Sequence, residues 1–130
     1  MNKVLVCKEK DPRETRVALI PDDIKKLGSM GFEFLVVSGA GIKSGFSDES
    51  YISAGAKIIA KEEDGYESSE IIVRIMKPES VQGIKKDTLH LSYMDPFNES
   101  RLLNEFAESG IQAVSLEMIP RSTLAQKMDV

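Results

Sequence analysis

Glu33-Phe34-Leu35-Val36-Val37-Ser38-Gly39-Ala40-Gly41, then Asp48-Glu49-Ser50-Tyr51-Ile52-Ser53-Ala54-Gly55, then Ala56-Lys57-Ile58-Ile59-Ala60, is the stretch that decides the fold. A β-branched and aromatic run ends in a glycine turn, a helix opens on acids and stops at a glycine, and a second apolar run begins at once. The same alternation extends in both directions. Residues 3–7, 70–75, 88–93 and 111–116 read as further strands, each a short apolar run followed by a polar or amphipathic stretch. A helix starts at Pro21-Asp22-Asp23, with proline in the first turn and acids at its N-terminus, and Gly31 stops it. Another spans 98–109 and is closed by Gly110; Leu102, Leu103 and Phe106 share one face, opposite Glu99, Arg101, Asn104, Glu105 and Glu108. Six strands alternating with helices predict a parallel or mostly parallel α/β sheet with right-handed crossovers.

The 130 residues are 42% hydrophobic and 29% charged, the size and mix of one compact soluble domain. Seventeen Lys and Arg against 21 Asp and Glu leave a net charge of -4, so there is no basic field to collect phosphate backbones, and nucleic acid is not an expected partner. Apolar runs such as 34–37 and 113–116 fall far short of the roughly 20 residues that cross a bilayer. The first nine residues bring charge in at once and carry no small-residue cleavage site, unlike a signal peptide. One Cys and one His exclude an internal disulfide and a four-ligand zinc site, which suits a reducing cytoplasm.

Gly39-Ala40-Gly41 follows a strand, as a dinucleotide-binding turn does. The next glycine, Gly45, comes one residue off, and Phe46-Ser47-Asp48 supplies a turn and a cap where an apolar helix should open, so a tight strand-to-helix turn is expected. His90, inside a strand and without a Ser, Cys or carboxylate neighbour, reads as a structural or surface histidine. Cys7 reads as a small buried hydrophobe, and the charged stretch 8–16 as a solvated loop. Arg16 stands apart. Val17-Ala18-Leu19-Ile20 follows it, so its stem is expected to enter an apolar segment on the side of the sheet where open α/β folds bind ligands. Pro120-Arg121, Gln126 and Asp129 offer a guanidinium, an amide and a carboxylate on one short segment, with Gln126 and Asp129 on one helical face. Such groups suit a carboxamide or ribose hydroxyls, but the pattern alone favours an ordinary capped surface helix over 122–130.

Taken together, Glu14-Thr15-Arg16-Val17-Ala18-Leu19-Ile20-Pro21, Gly39-Ala40-Gly41 through Phe46-Ser47-Asp48, Tyr51, Ala54-Gly55-Ala56, the strand 70–75 and the segment 118–129 resemble the N-terminal domain shared by alanine dehydrogenase and the alpha subunit of proton-translocating NAD(P) transhydrogenase. The resemblance covers nearly the whole chain in order. It implies a single domain over residues 1–130, an α/β three-layer fold that is Rossmann-like or flavodoxin-like without its own glycine fingerprint, and an NAD-binding Rossmann domain beyond this stretch.

The two branches differ in chemistry. An amino-acid dehydrogenase needs a Lys and a His beside its Arg to form an imine and move protons. Here Arg16 is kept, but the Lys position falls on Met76 and the His position on Asp95. Hydride exchange between two nicotinamides needs alignment and no side-chain acid or base, so those losses point to the transhydrogenase branch. The resemblance then places Arg121, Gln126 and Asp129 at the nicotinamide end of an NAD(H) cleft, with NADP(H) on a separate component. Leu124 and Lys127 depart from the family's usual Arg and Ser. Implied partners are the remainder of the alpha subunit, an NADP(H)-binding component, a membrane component and a second copy in a homodimer. The implied setting is soluble, cytoplasmic or matrix-side, peripheral to a membrane complex. An alanine or saccharopine-type dehydrogenase and a non-catalytic dimerisation module are the alternatives.

Overall fold

The computed structural model describes residues 2–78, 80–93 and 100–116. Its strands are β1 (Lys3–Val6), β2 (Glu33–Val37), β3 (Lys57–Ile59), β4 (Ile71–Met76), β5 (Leu89–Tyr93) and β6 (Gln112–Ser115). They form one sheet in the order β3-β2-β1-β4-β5-β6, and every pairing is parallel. Each predicted strand is present, with ends shifted by a residue or so. The parallel sheet follows from the strand–helix–strand spacing, because a hairpin turn cannot return the chain to a parallel neighbour.

The helices cover both faces. α1 (Pro21–Gly28) opens with Pro21, and the Asp23 carboxylate accepts the Ile20 N–H at 3.1 Å. It ends one turn before Gly31, which takes φ +99 as the Phe32 N–H reaches back to the Leu27 carbonyl. α2 (Asp48–Ser53) is capped by the Ser47 hydroxyl, which accepts the Ser50 N–H. α3 (Ser100–Glu108) buries Leu102 and Phe106, as its apolar stripe predicts. Short 3-10 turns occupy Ile42–Ser44 and Glu62–Gly65.

Alternation along β1 divides the core. Leu5 and Cys7 pack with Ile72, Leu102 and Phe106 on one face, while Val4 and Val6 pack with Ile24, Phe34 and Tyr51 on the other. Two helical layers thus sandwich a parallel sheet, as doubly wound folds require. Among the described residues no helix is long and apolar enough to cross a membrane.

One irregularity interrupts the ladder between β4 and β5. β4 pairs Val73 with Leu91 and Met76 with Tyr93, so two β4 residues, Arg74 and Ile75, face the single β5 residue Ser92. That is a β-bulge at the C-terminal end of β4.

Candidate functional site

β1 lies between β2 and β4, and from it the strand order runs out in opposite directions. In open parallel sheets the crevice outside the C-terminal strand ends at such a switch point is the ligand site. A cleft of about 740 Å³ lies there, with Lys8 and Glu9 from the end of β1, Arg74 and Met76 from β4, and Glu62 and Tyr66 from the 3-10 turn and the residue that caps it. A smaller cavity of about 140 Å³ adjoins it, sharing Lys8 and Glu9 and adding Glu14, Arg16 and Gly39.

The cleft floor is a buried polar network. Arg74 is 6% exposed; its Nη2 meets Glu62 Oε2 at 2.8 Å, and its Nε donates to His90 Nε2 at 2.9 Å. The Tyr66 hydroxyl donates to Glu62 Oε2. Burial pushes the Glu62 carboxyl up, but the Arg74 charge and the hydrogen bonds from Tyr66 and Arg74 outweigh it and hold the group below the usual range. Burial opposes the charge on Arg74, and its acidic surroundings more than restore it. The Cys7 thiol beneath this pair is fully buried and pushed up by desolvation, so it is inert, as expected.

His90 is the chain's one histidine and is fully buried. Because Nε2 accepts from Arg74, the ring proton sits on Nδ1, which has no partner among the described residues. Burial first and the Arg74 charge second push its pKa down to about 3. Its ring lies against Phe106, centroids 5.0 Å apart. This is a neutral structural histidine, one of the two forms expected for it.

The 8–16 stretch is not merely solvated. Glu9 reaches across to accept the N–H groups of Ile75 at 2.8 Å and Met76 at 2.9 Å. Lys43 donates to the Pro12 carbonyl, and Ser44 to that of Thr15. Arg16 stands on the ligand side, but its stem does not enter the apolar segment: Val17 and Leu19 turn inward while the Arg16 side chain stays 63% exposed. Glu14 grips it, with Nη2 to Oε1 at 2.6 Å, which raises the guanidinium and lowers the carboxyl. Met76 is 40% exposed at the cleft.

The glycine turn is self-occupied. The Gly39 N–H, at φ +83, donates to Asp48 Oδ1 at 2.9 Å, and the Ser38 hydroxyl donates to Asp48 Oδ2 at 2.6 Å. Those bonds, the Gly39 one foremost, lower the Asp48 carboxyl. A Cβ on Gly41 would meet the Tyr51 ring and hydroxyl at 2.7 Å. The chain's own carboxylate and phenol therefore fill the space that a pyrophosphate would need, in line with the tight-turn reading.

Arg121, Gln126 and Asp129 lie outside the described residues, as does Asp95. Among the described residues no group of three or more metal-ligating side chains occurs. Sequence reading passed over Glu62, Tyr66 and Arg74. Arg74 did carry a signal, a lone charge between Val73 and Ile75 in an apolar strand, which requires a buried counter-ion. Glu62, in the polar run Lys61-Glu62-Glu63-Asp64, carried none.

Comparison with known proteins agrees with this architecture. The chain is 34% identical over 118 residues to the NAD(P) transhydrogenase subunit alpha of Cereibacter sphaeroides, covering 89% of this chain and 23% of that protein. It is 34% identical over 116 residues to the alanine dehydrogenase of Bacillus subtilis, covering 88% of this chain and 30% of that one. The chain thus spans less than a third of either relative's length. The crystal structure of transhydrogenase from Sinorhizobium meliloti superposes with a TM-score of 0.88 at 32% identity, over 98% of this chain and 39% of that one. The alanine dehydrogenase/PNT N-terminal domain profile matches residues 5–130, and with the switch-point cleft and the parallel sheet in place, this chain belongs to that family.

Proposed function

We propose that residues 1–130 form a single domain, the N-terminal part of the NAD(H)-binding component of an NAD(P) transhydrogenase, and make one wall of its nucleotide cleft. The observation that carries this choice within the family is the residue at the position where a dehydrogenase would place its lysine. Met76 stands at the cleft where a dehydrogenase would need a lysine, and the chain's one histidine is locked in the core by Arg74. With methionine at that position and the histidine held neutral in the core, the cleft is better suited to aligning a ring than to the proton transfers of imine formation.

The Gly39–Gly41 turn does not fit the diphosphate of a dinucleotide, since Asp48 already takes the Gly39 N–H and Tyr51 fills the space over Gly41. We place the switch-point cleft against its nicotinamide end. Arg121, Gln126 and Asp129 would hold the ribose and carboxamide, and the adenosine half would need a second domain with a glycine-rich turn. The bound nicotinamide supplies the hydride; this chain orients the ring and keeps water off one side. In the full assembly we place the transfer between NAD(H) on this component and NADP(H) on another, coupled to proton movement through a membrane component, with this component paired as a homodimer.

Arg16 favours a second reading. Its Glu14-braced guanidinium can donate to a substrate carboxylate, as an amino-acid dehydrogenase requires. The full-length protein decides between the two. Reduction of an NADP⁺ analogue by NADH, with no amination of pyruvate, is expected; pyruvate- and ammonium-dependent NADH oxidation would overturn the transhydrogenase assignment.

A further inference from the structure

We propose that Glu9 is a positioning residue, which from the end of β1 locks the bulge of β4 and so fixes where Met76 stands in the cleft. The role in catalysis rests on the hydride-transfer reading above; the lock itself does not.

In a regular strand successive N–H groups point to opposite edges, so one acceptor cannot take two in a row. Ile75 and Met76 both donate to the same carboxylate, at 2.8 and 2.9 Å, because the extra residue in β4 has turned the backbone there. β1 does not extend far enough to supply acceptors. Its last ladder bond is Cys7 N–H to the Val73 carbonyl, and past that point the Glu9 side chain stands in for the missing backbone. The bulge is pinned from the other side as well, since Arg74 lies within it and is held by Glu62 and His90.

The consequence for the cleft is geometric. Side chains alternate with period two, so removing one residue from the bulge reverses the face of every side chain beyond it. Beyond it is Met76, which sits beside its register partner Tyr93, both partly exposed at the ligand end of the sheet. With the two N–H groups released, β4 can relax toward regular pairing and carry Met76 off the cleft wall.

The test uses the full-length protein and two substitutions. Glu9→Ala removes both acceptors; Glu9→Gln keeps one carbonyl and sets an amide N–H against the second donor. Three readouts are taken: hydrogen exchange of peptides containing Ile75 and Met76, the melting temperature, and kcat and KM for NADH reducing an NADP⁺ analogue. Expected for Glu9→Ala are exchange faster by about tenfold or more, a kcat reduced by about tenfold or more, and a cooperative melt, with Glu9→Gln between it and the parent. Glu9→Gln carries the test if Glu9→Ala does not fold. Unchanged exchange overturns the lock. Faster exchange with unchanged kcat and KM overturns the positioning role and leaves Glu9 a strand-end cap. A parent without NADH-dependent reduction overturns the functional reading and the catalytic role together, while exchange in the same samples still reports the lock.

Discussion

Lowering the pH from 7 to 5 should destabilise this chain through His90 alone among its side chains that ordinarily titrate near neutrality, because it has one histidine. In the folded chain that imidazole stays neutral to about pH 3. Unfolded, it takes its proton near pH 6.5. The unfolded state therefore binds more protons than the native state throughout this window. The contribution is fully present above about pH 6.5 and is lost as the pH falls toward the folded value. Linkage between an unfolded value of about 6.5 and a folded value of about 3 removes roughly 2 kcal/mol by pH 5. Carboxylates whose folded values lie below their ordinary range, Glu62 among them, add a small common background at pH 5 and dominate only lower down. Urea unfolding of the chain at pH 7, 6 and 5 reads the loss as a falling midpoint at constant slope. His90→Gln keeps an acceptor for Arg74 and has nothing to titrate. It should be less stable at pH 7, having lost the contact with Phe106, yet nearly flat between pH 7 and 5. A parent whose stability does not change across that window, or a variant with the same slope as the parent, refutes the buried neutral imidazole.

Two further substitutions test the core and the glycine turn. Arg74→Met strands Glu62 in the cleft floor without its cation and takes the donor from His90, and should cost about 3–5 kcal/mol by urea unfolding; pairing it with Glu62→Gln should recover a large part of that loss. Gly41→Ala drives a methyl into the Tyr51 ring, whose hydroxyl is held by the Leu19 carbonyl at 2.9 Å, and should cost about 1–3 kcal/mol in the same assay.

The strands were legible because a parallel sheet covered on both faces demands unbroken apolar runs, and Val36-Val37, Ile71-Ile72-Val73 and Ala113-Val114 show them plainly. Helix ends were legible through Gly31, Gly55 and Gly110, all of which take positive φ. Strand order was not, since nothing local tells β1 to sit between β2 and β4. The bulge left no trace either: Arg74 and Ile75 read as ordinary strand positions, and only the register against Ser92 exposes the extra residue. Glu9 looked like one more charge in a solvated loop because its acceptor role depends on amides more than sixty positions away. Arg16 was placed on the correct side of the sheet by its apolar neighbours, while its own exposure follows from Glu14, a partner two residues back that holds it outward.

The central position of β1 also sets an order of assembly. Of the six strands it is the first to be synthesised, and its nearer partner in sequence is β2, with Lys3 opposite Glu33. Its other neighbour arrives much later, with Val4 opposite Ile71. At synthesis rates of about 5–20 residues per second, that edge waits roughly 3–13 s. During that interval Val4, Leu5, Val6 and Cys7, all buried in the finished sheet, present an unpaired apolar strand edge to the cell. Slowing translation between β2 and β4 should therefore lower the yield of folded protein more than slowing it after β4.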